Sequence, residues 1–429
     1  MPSSEQIREL GEFVAIPSVS LVGGAPMRAA AEWVAARLPG GRVVESEGHP
    51  VVLGELAGPP DAPTILVYGH YDVQPPGDLA EWTSPPFAAA IRDGRLHARG
   101  ASDDKGPVFV ALETARAFVD APPLTVRFLI EGEEEIGSPS LAGFLAAHAD
   151  ELQADLVVSA DGAMWRPSEP SVPVAAKGLL ALDIEVTGPD ADLHSGRHGG
   201  AVQNPNHALA RILASLHDDD GRVAVEGFYA GVRPVELGAI PFDEAEYRRQ
   251  VGVPELFGEP GFSTLERLWT RPTLEVNGIS GGGSFTVIPR RASAHLTCRL
   301  VPGQDPEAVL DAIRRHVTAP PGVRVRVTGQ PGAVPAYELD PGHPAVQAAV
   351  GALRHAYPGS DPLLVRIGGT LPAAVVFERV LGLKTLLFSF STADERLHAP
   401  DEFFRLARID AGVAAWSELW RRLAAGSAA

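Results

Sequence analysis

Apolar residues recur along this chain at two spacings, and the spacing changes mark out its elements. Ile7, Leu10 and Phe13 in SSEQIRELGEFVA fall at helical intervals behind a Ser able to cap the first turn, and MRAAAEWVAARL (27–38) is a second amphipathic stretch. Three apolar runs then end in polar chemistry: TILVYGHYD (64–72), LTVRFLIEGEEE (124–135) and DLVVSADG (155–162). Helical patterns GPVFVALETARAFV (106–119) and SPSLAGFLAAHADEL (138–152) separate them. Strand, helix, strand, helix, strand predicts a mostly parallel α/β sheet, in which ligands sit outside the carboxyl ends of the strands. Every acidic or histidine cluster in this part of the chain falls at such an end.

After about Gly178 the pattern changes. LLALDIEVTG (179–188) predicts a strand and PNHALARILASLH (205–217) a helix. A long irregular stretch rich in Gly and Pro then precedes ASAHLTCRLV (292–301), a helix over 306–317 and VRVRVTG (323–329). That order suits a small α+β domain of the split βαβ, ferredoxin-like kind. From HPAVQAAVGALRHAY (343–357) onward a helix, GGTLP (368–372), a strand in KTLLFSFS (384–391) and a last helix return to the first pattern. The expected organisation is one α/β domain over 1–178 and 336–429, interrupted by an inserted domain over 179–335. No repeat or low-complexity segment stands out, and DDD at 218–220 reads as a solvated helix end.

Charge and cysteine usage narrow the function class. With 36 Lys plus Arg against 54 Asp plus Glu among 429 residues, the net charge of −18 argues against a phosphate-binding surface and hence against nucleic acid as partner. Cys298 is the only cysteine, which excludes an intramolecular disulfide and fits a reducing compartment. The start, MPSSEQIRELGE, has early acids and no apolar core of a leader, and no run of about 18 apolar residues occurs. A soluble, cytoplasmic enzyme is expected.

The candidate ligands lie at the ends of the predicted strands. His70 and Asp72 form an H-x-D after the first, Asp103 and Asp104 lie in ARGASDDKG, Glu134 and Glu135 close another run, and Asp161 and His398 follow two more. Histidines and carboxylates together suit a divalent ion such as zinc, cobalt or manganese. Each feature has a plainer reading. EGEEE can be a solvated strand end, ARGASDDKG a turn whose aspartates face a helix N-terminus, and a lone His such as His49, His194, His198, His207 or His355 a surface or satisfied core residue. Gly281–Gly283 is followed by no lysine and reads as a connector, not a phosphate loop. Joint occurrence at strand ends favours the metal site.

In this order, GHYDVQPPG, ARGASDDKGP, EGEEEIGS, SADG, DLHSG, TVIPRRASAHLTCRLVPG, GGTLP and HAPDE resemble the motifs of a dinuclear zinc peptidase family. That family includes carnosinase-like dipeptidases, aminoacylases and succinyl-diaminopimelate desuccinylase, and the match runs from His70 to Glu402. The resemblance implies two divalent ions, zinc first, with manganese or cobalt as alternatives. His70 and Asp161 would hold one ion, Glu135 and His398 the other, and Asp103 would bridge both. Asp72 would sit behind His70 and fix its tautomer. Glu134 would be the general base, taking a proton from the attacking water and passing it to the leaving nitrogen. A cis peptide between Asp103 and Asp104 is also implied.

For the inserted domain the resemblance implies a lid and dimerisation role. His194 would stabilise the oxyanion in the partner subunit of a homodimer, a contribution of about 3–4 kcal/mol for a well-aimed donor. Arg299 would grip the substrate carboxylate with its bidentate fork. Thr286, Gly369 and Thr370 would complete the substrate cradle, and domain closure would assemble it. The chain departs from the pattern twice: Asp401 stands where Asn is common, a change not expected to alter the metals, and Ile367 in RIGGTLP replaces an acid of the dipeptidase pattern. A carboxylate at 367 could meet a free substrate amine, so its absence leaves open an N-acyl amino acid or a longer peptide. The expected activity is hydrolysis of an amide next to a free carboxylate. The alternatives are an N-acyl amino acid deacylase or desuccinylase on the same scaffold, and a metal-binding protein without turnover.

Overall fold

His70 closes a strand, Thr64–His70, that runs through the interior of a six-stranded sheet. The computed structural model describes residues 2–238 and 240–426. Across the sheet the strands lie in the order Arg42–Val44, Val51–Leu56, Thr125–Glu131, Thr64–His70, Leu156–Ser159, Thr385–Leu387. The last four are mutually parallel, and the two at the other edge pair antiparallel. Ile65 through His70 are all buried, as expected for a strand covered on both faces. Leu141, Phe144 and Leu145 of helix Leu141–Ala147, with Phe377 of helix Pro372–Leu381, pack on Leu66, Tyr68, Leu129 and Val157. Helix Lys105–Ala117 contacts the Thr64–His70 strand, and it is buried from Lys105 to Ala115, so it shows little amphipathic contrast. Helix Ala407–Gly426 packs on it and buries Trp416 and Trp420.

Parallel register brings the strand ends together. His70 lies opposite Glu131, and Tyr68 opposite Ser159. The chain therefore leaves these strands on one side, delivering His70, the 131–135 turn and Asp161 to a common edge.

The chain divides into two compact units. One runs to Val174 and includes Leu339–Val365 and the chain from Pro372 onward; the other comprises Ala175–Glu338 and Arg366–Leu371. The boundaries differ from the expected 178 and 335 for a reason of pairing. Tyr337 and Glu338 pair with Ala176 and Ala175, which carries the second unit past 335. Arg366 donates to Glu338 at 2.7 Å and Thr370 accepts from Arg299 at 2.9 Å, which draws the RIGGTL segment into the same unit.

Within the second unit, four antiparallel strands lie in the order Thr273–Ser280, Arg291–Leu300, Gly178–Thr187, Arg324–Gly329. With helices Pro205–Ser215 and Pro306–His316 the chain order is βαββαβ, the ferredoxin-like arrangement. Leu180, Leu182, Ile184 and Val186 alternate into the core against Leu209 and Ile212 of one helix and Leu310 and Ile313 of the other. Each helix starts on a capping side chain, Asn204 or Asp305, followed by proline at its first position.

Three expectations change. The helix over 138–152 shortens to Leu141–Ala147, starting after Ser140, whose amide and hydroxyl are both engaged by Glu133. The strand in 384–391 shortens to Thr385–Leu387. The irregular stretch before Ala292 contains the edge strand Thr273–Ser280, in which only Leu274 is buried and a bulge interrupts the pairing between Val276 and Gly278. A strand exposed on this scale carries no alternation to read.

Candidate metal centre

Each oxygen of the Asp103 carboxylate faces a different histidine. Oδ1 lies 3.1 Å from His70 Nε2, and Oδ2 lies 2.9 Å from His398 Nε2. His398 Nε2 is also 3.2 Å from Glu135 Oε2. Two overlapping donor groups result: His70, Asp103 and Asp161 in one, and Asp103, Glu135 and His398 in the other, each with its ligand atoms within 4.8 Å of one another. Asp103 is common to both.

Local structure explains how these groups arrive. His70 is the last residue of its strand and is wholly buried; its Nδ1 lies 3.1 Å from the Asp72 carbonyl and 3.4 Å from the Asp72 carboxylate. That leaves Nε2 turned to Asp103. Asp72 has a second task that the sequence does not reveal. Its two oxygens accept from the Glu134 and Glu135 amides at 3.2 and 3.0 Å, which fixes the short turn Glu134–Ile136. Gln74 donates to the Glu135 carbonyl at 3.0 Å and carboxylate at 2.9 Å. Asp103 and Asp104 are joined by a cis peptide. Asp104 stands at the N-cap position of helix Lys105–Ala117, yet its side chain makes no capping bond and accepts from the His70 amide at 3.3 Å.

The other two glutamates of EGEEE are occupied elsewhere. Glu131 Oε1 accepts from Tyr68 Oη at 2.7 Å and Ser138 Oγ at 2.9 Å. Glu133 accepts from the His49 amide at 3.2 Å and from the Ser140 amide and hydroxyl. Gly132 between them has no room for a side chain, since a Cβ would meet Tyr71 Oη at 2.3 Å.

Electrostatics suit a cation. Burial, together with the charges of Asp161 and Asp103, holds Glu134 well above the usual carboxylate range, and burial pushes Asp161 up to about 6. Burial disfavours the His70 imidazolium, but the Asp103 and Asp72 carboxylates outweigh it and raise His70 well above its ordinary value. Asp103 and Glu135 raise His398 to about 10. The carboxylates thus favour protons on the imidazole nitrogens that face them. A divalent ion ligated by neutral imidazole replaces such protons and neutralises the same carboxylates. Nitrogen and oxygen donors in this mixture fit zinc, cobalt or manganese.

The remaining expected site residues belong to the second unit. His194 is exposed at the end of a two-residue strand paired with Val287. Its Nδ1 accepts from the Gly196 amide at 3.0 Å, which leaves the hydrogen of the neutral ring on Nε2. The Thr286 carbonyl accepts from the Ser195 amide and hydroxyl. Arg299 lies on strand Arg291–Leu300 and donates to Thr370 Oγ1, while Gly369 next to it is exposed.

Comparison with known proteins gives the family. The description Peptidase family M20/M25/M40 matches residues 66–422. The chain belongs to this family. Human Beta-Ala-His dipeptidase is 31% identical over 376 residues, covering 82% of this chain and 73% of the relative. The Cys-Gly metallodipeptidase dug1 of Schizosaccharomyces pombe is 30% identical, covering 85% and 80%. The crystal structure of the M20 family metallo-carboxypeptidase Sso-CP2 from Sulfolobus solfataricus superposes with a TM-score of 0.85 at 29% identity, covering 99% of this chain and all of that one. This M20 chain is a peptidase of a family that works with divalent metal ions. Among the described residues no helix is long and apolar enough to cross a membrane.

Glu131 offers a test of the division within EGEEE. Burial raises its pKa from 4.5 to about 7, so the folded state binds the proton more tightly than the unfolded chain. The resulting stability is complete below about pH 4.5 and is lost as pH rises through about 7. Glu131→Gln keeps an oxygen for Tyr68 and Ser138 and removes the titration. The melting temperature of the variant is expected to rise relative to wild type between about pH 5 and 8, by thermal unfolding monitored with circular dichroism; an unchanged difference across that range contradicts the assignment.

Proposed function

We propose that this M20 peptidase is a dinuclear metallohydrolase that cleaves dipeptides or short peptides bearing a free C-terminal carboxylate. The observation that carries the proposal is the pair of donor groups sharing Asp103. His70 and Asp161 are assigned to one ion, Glu135 and His398 to the other, and Asp103 to both, with zinc the first choice and manganese or cobalt accepted by the same donors. Two such ions, when bound, polarise the scissile carbonyl and acidify water near it.

The chain's own residues supply the rest. Glu134 has its amide fixed by Asp72, and its environment favours the protonated carboxyl, which suits a group that accepts a proton from water and gives it to the leaving nitrogen. The water oxygen bonds to the carbonyl carbon, the C–N bond breaks, and the proton held on Glu134 leaves on the amine. Asp72 keeps His70 in one tautomer and orientation. His194, with its hydrogen on Nε2, is a donor suited to the oxyanion, and Arg299, steadied by Thr370, is a fork suited to the substrate carboxylate. Thr286 and Gly369 are assigned to the substrate cradle. The curated relatives named as dipeptidases support the dipeptide reading. Ile367, where the dipeptidase pattern carries an acid, supports a second reading, an N-acyl amino acid deacylase on the same scaffold. A homodimer, with His194 serving the partner's site, and a cytoplasmic location complete the proposal; the exposure of His194 and the single buried Cys298 support them.

Free-amine dipeptides and their N-acetylated forms, offered to enzyme loaded with zinc or manganese, separate the readings. The free-amine forms are expected to turn over with at least tenfold higher kcat/KM, and preference for the acetylated forms selects the deacylase. Glu134→Ala is expected to keep two ions by elemental analysis while kcat falls by about 10²–10⁴. Asp103→Ala is expected to lose metal, and the reverse pattern overturns these roles. Mixing His194→Ala chains with Glu134→Ala chains should restore up to a quarter of wild-type activity, as expected on the order of random pairing in dimers; no recovery, with exchange verified by differently tagged chains, argues against the shared site.

A further inference from the structure

Two buried glutamates outside the donor groups bind the loop that carries Asp103 to the loop that carries His398. Glu402 Oε2 accepts from Arg99 Nη1 at 2.7 Å and from the Gly100 amide at 2.9 Å, and its Oε1 accepts from the Ser102 and Asp103 amides at 2.9 and 3.1 Å. All four contacts lie within five consecutive residues, and Glu402 is only 1% exposed. Glu395, fully buried, accepts from Ser102 Oγ at 2.6 Å and the Thr392 amide at 3.0 Å, and its other oxygen accepts from Arg405 at 2.9 Å. Ser391 Oγ donates to the Ser102 carbonyl. Residues 99–103 are therefore gripped on both sides by residues 391–405.

The grip has a task that packing alone does not explain. Between the two glutamates the backbone takes positive φ at three non-glycine residues, Arg396 at 61°, His398 at 59° and Asp401 at 59°. L residues rarely adopt that conformation, and it persists where surrounding bonds over-determine it. Here the anchors are Glu395, Glu402 and Asp401, the last accepting from the Thr83 amide at 2.9 Å and hydroxyl at 2.6 Å. A carboxylate that is to meet two imidazoles from distant parts of the chain needs its backbone held against the loop of one of them. Glu402 is the residue that touches the Asp103 backbone.

We infer that Glu402, backed by Glu395 through Ser102, is a positioning residue for metal binding: it sets the Asp103 carboxylate against His398 before any ion arrives. This inference rests on the metal reading of the site. Because Asp103 belongs to both donor groups, loosening its backbone weakens both ions together, whereas loss of Glu135 touches one. Partners that orient metal ligands typically contribute about 10- to 100-fold in metal affinity.

The test is zinc and manganese titration of metal-stripped protein by calorimetry, with a competing chromophoric chelator for tight sites, on wild type, Glu402→Gln, Ser102→Ala and Glu135→Ala. Glu402→Gln is expected to keep a stoichiometry of two while both affinities fall about 10- to 100-fold. Glu135→Ala is expected to lose one ion selectively. Ser102→Ala removes only the link to Glu395 and is expected to weaken both sites by a smaller factor, so it decides the matter if Glu402→Gln does not fold. Amide hydrogen exchange at 100–103 is expected to quicken in both loop variants in the absence of metal. Wild-type affinity at both sites in Glu402→Gln, or in Ser102→Ala where that variant decides, overturns this inference and leaves the metal reading standing. Wild-type protein that takes up no ion overturns both.

Discussion

The Asp103 carboxylate, with one imidazole at each oxygen, is the contact on which the site depends. It lies among Glu134, Glu135 and Asp161, and burying that much like charge is unfavourable unless positive charge is brought to it. In the chain alone, the facing carboxylates raise the pKa of His70 and His398 and so favour their imidazolium forms. The same geometry suits divalent cations better, since each donor group combines a histidine with carboxylates from different loops. Acidic repulsion and metal affinity are here two descriptions of one arrangement.

The scaffold meets this demand with rigid elements. Parallel pairing sets His70 beside Glu131 and sends Asp161 out from the adjoining strand on the same side. Asp72 then joins the two strand ends, because it contacts His70 and accepts from the amides of Glu134 and Glu135. Gln74 and Glu402, with no place in the donor groups, use their hydrogen bonds to hold Glu135 and Asp103, and Glu395 holds the neighbouring Ser102. Four adjacent acids in EGEEE divide accordingly. Glu131 and Glu133 tie the strand end to Tyr68, Ser138, His49 and Ser140, while Glu135 belongs to a donor group and Glu134 lies beside Asp161 and Asp103.

Much of the fold was legible in hydrophobic spacing. Buried strands such as Thr64–His70 and alternating ones such as Gly178–Thr187 carry strong signals, because burial on both faces or on one face leaves its period in the residues. The edge strand Thr273–Ser280 carried none, since six of its eight residues are exposed. Helix Leu141–Ala147 was overextended because the small and apolar residues around it are equally good in a helix, and at its start it is the Glu133 side chain that engages Ser140.

For the site, residue types at the strand ends were enough to collect His70, Asp72, Asp103, Asp104, Glu134, Glu135, Asp161 and His398, and the choice of five ligands among them came from the family resemblance. Composition also set the acidic balance and the lone cysteine. Which acid faces which histidine was decided in three dimensions. Asp103 and His398 are 295 positions apart, and their 2.9 Å contact depends on the path of both loops over the sheet edge. The bonds of Asp72 to two amides and of Glu402 to three belong to the same class, because every residue but proline offers a backbone amide. Sequence names the groups that can act; backbone hydrogen bonds between remote loops decide where they stand.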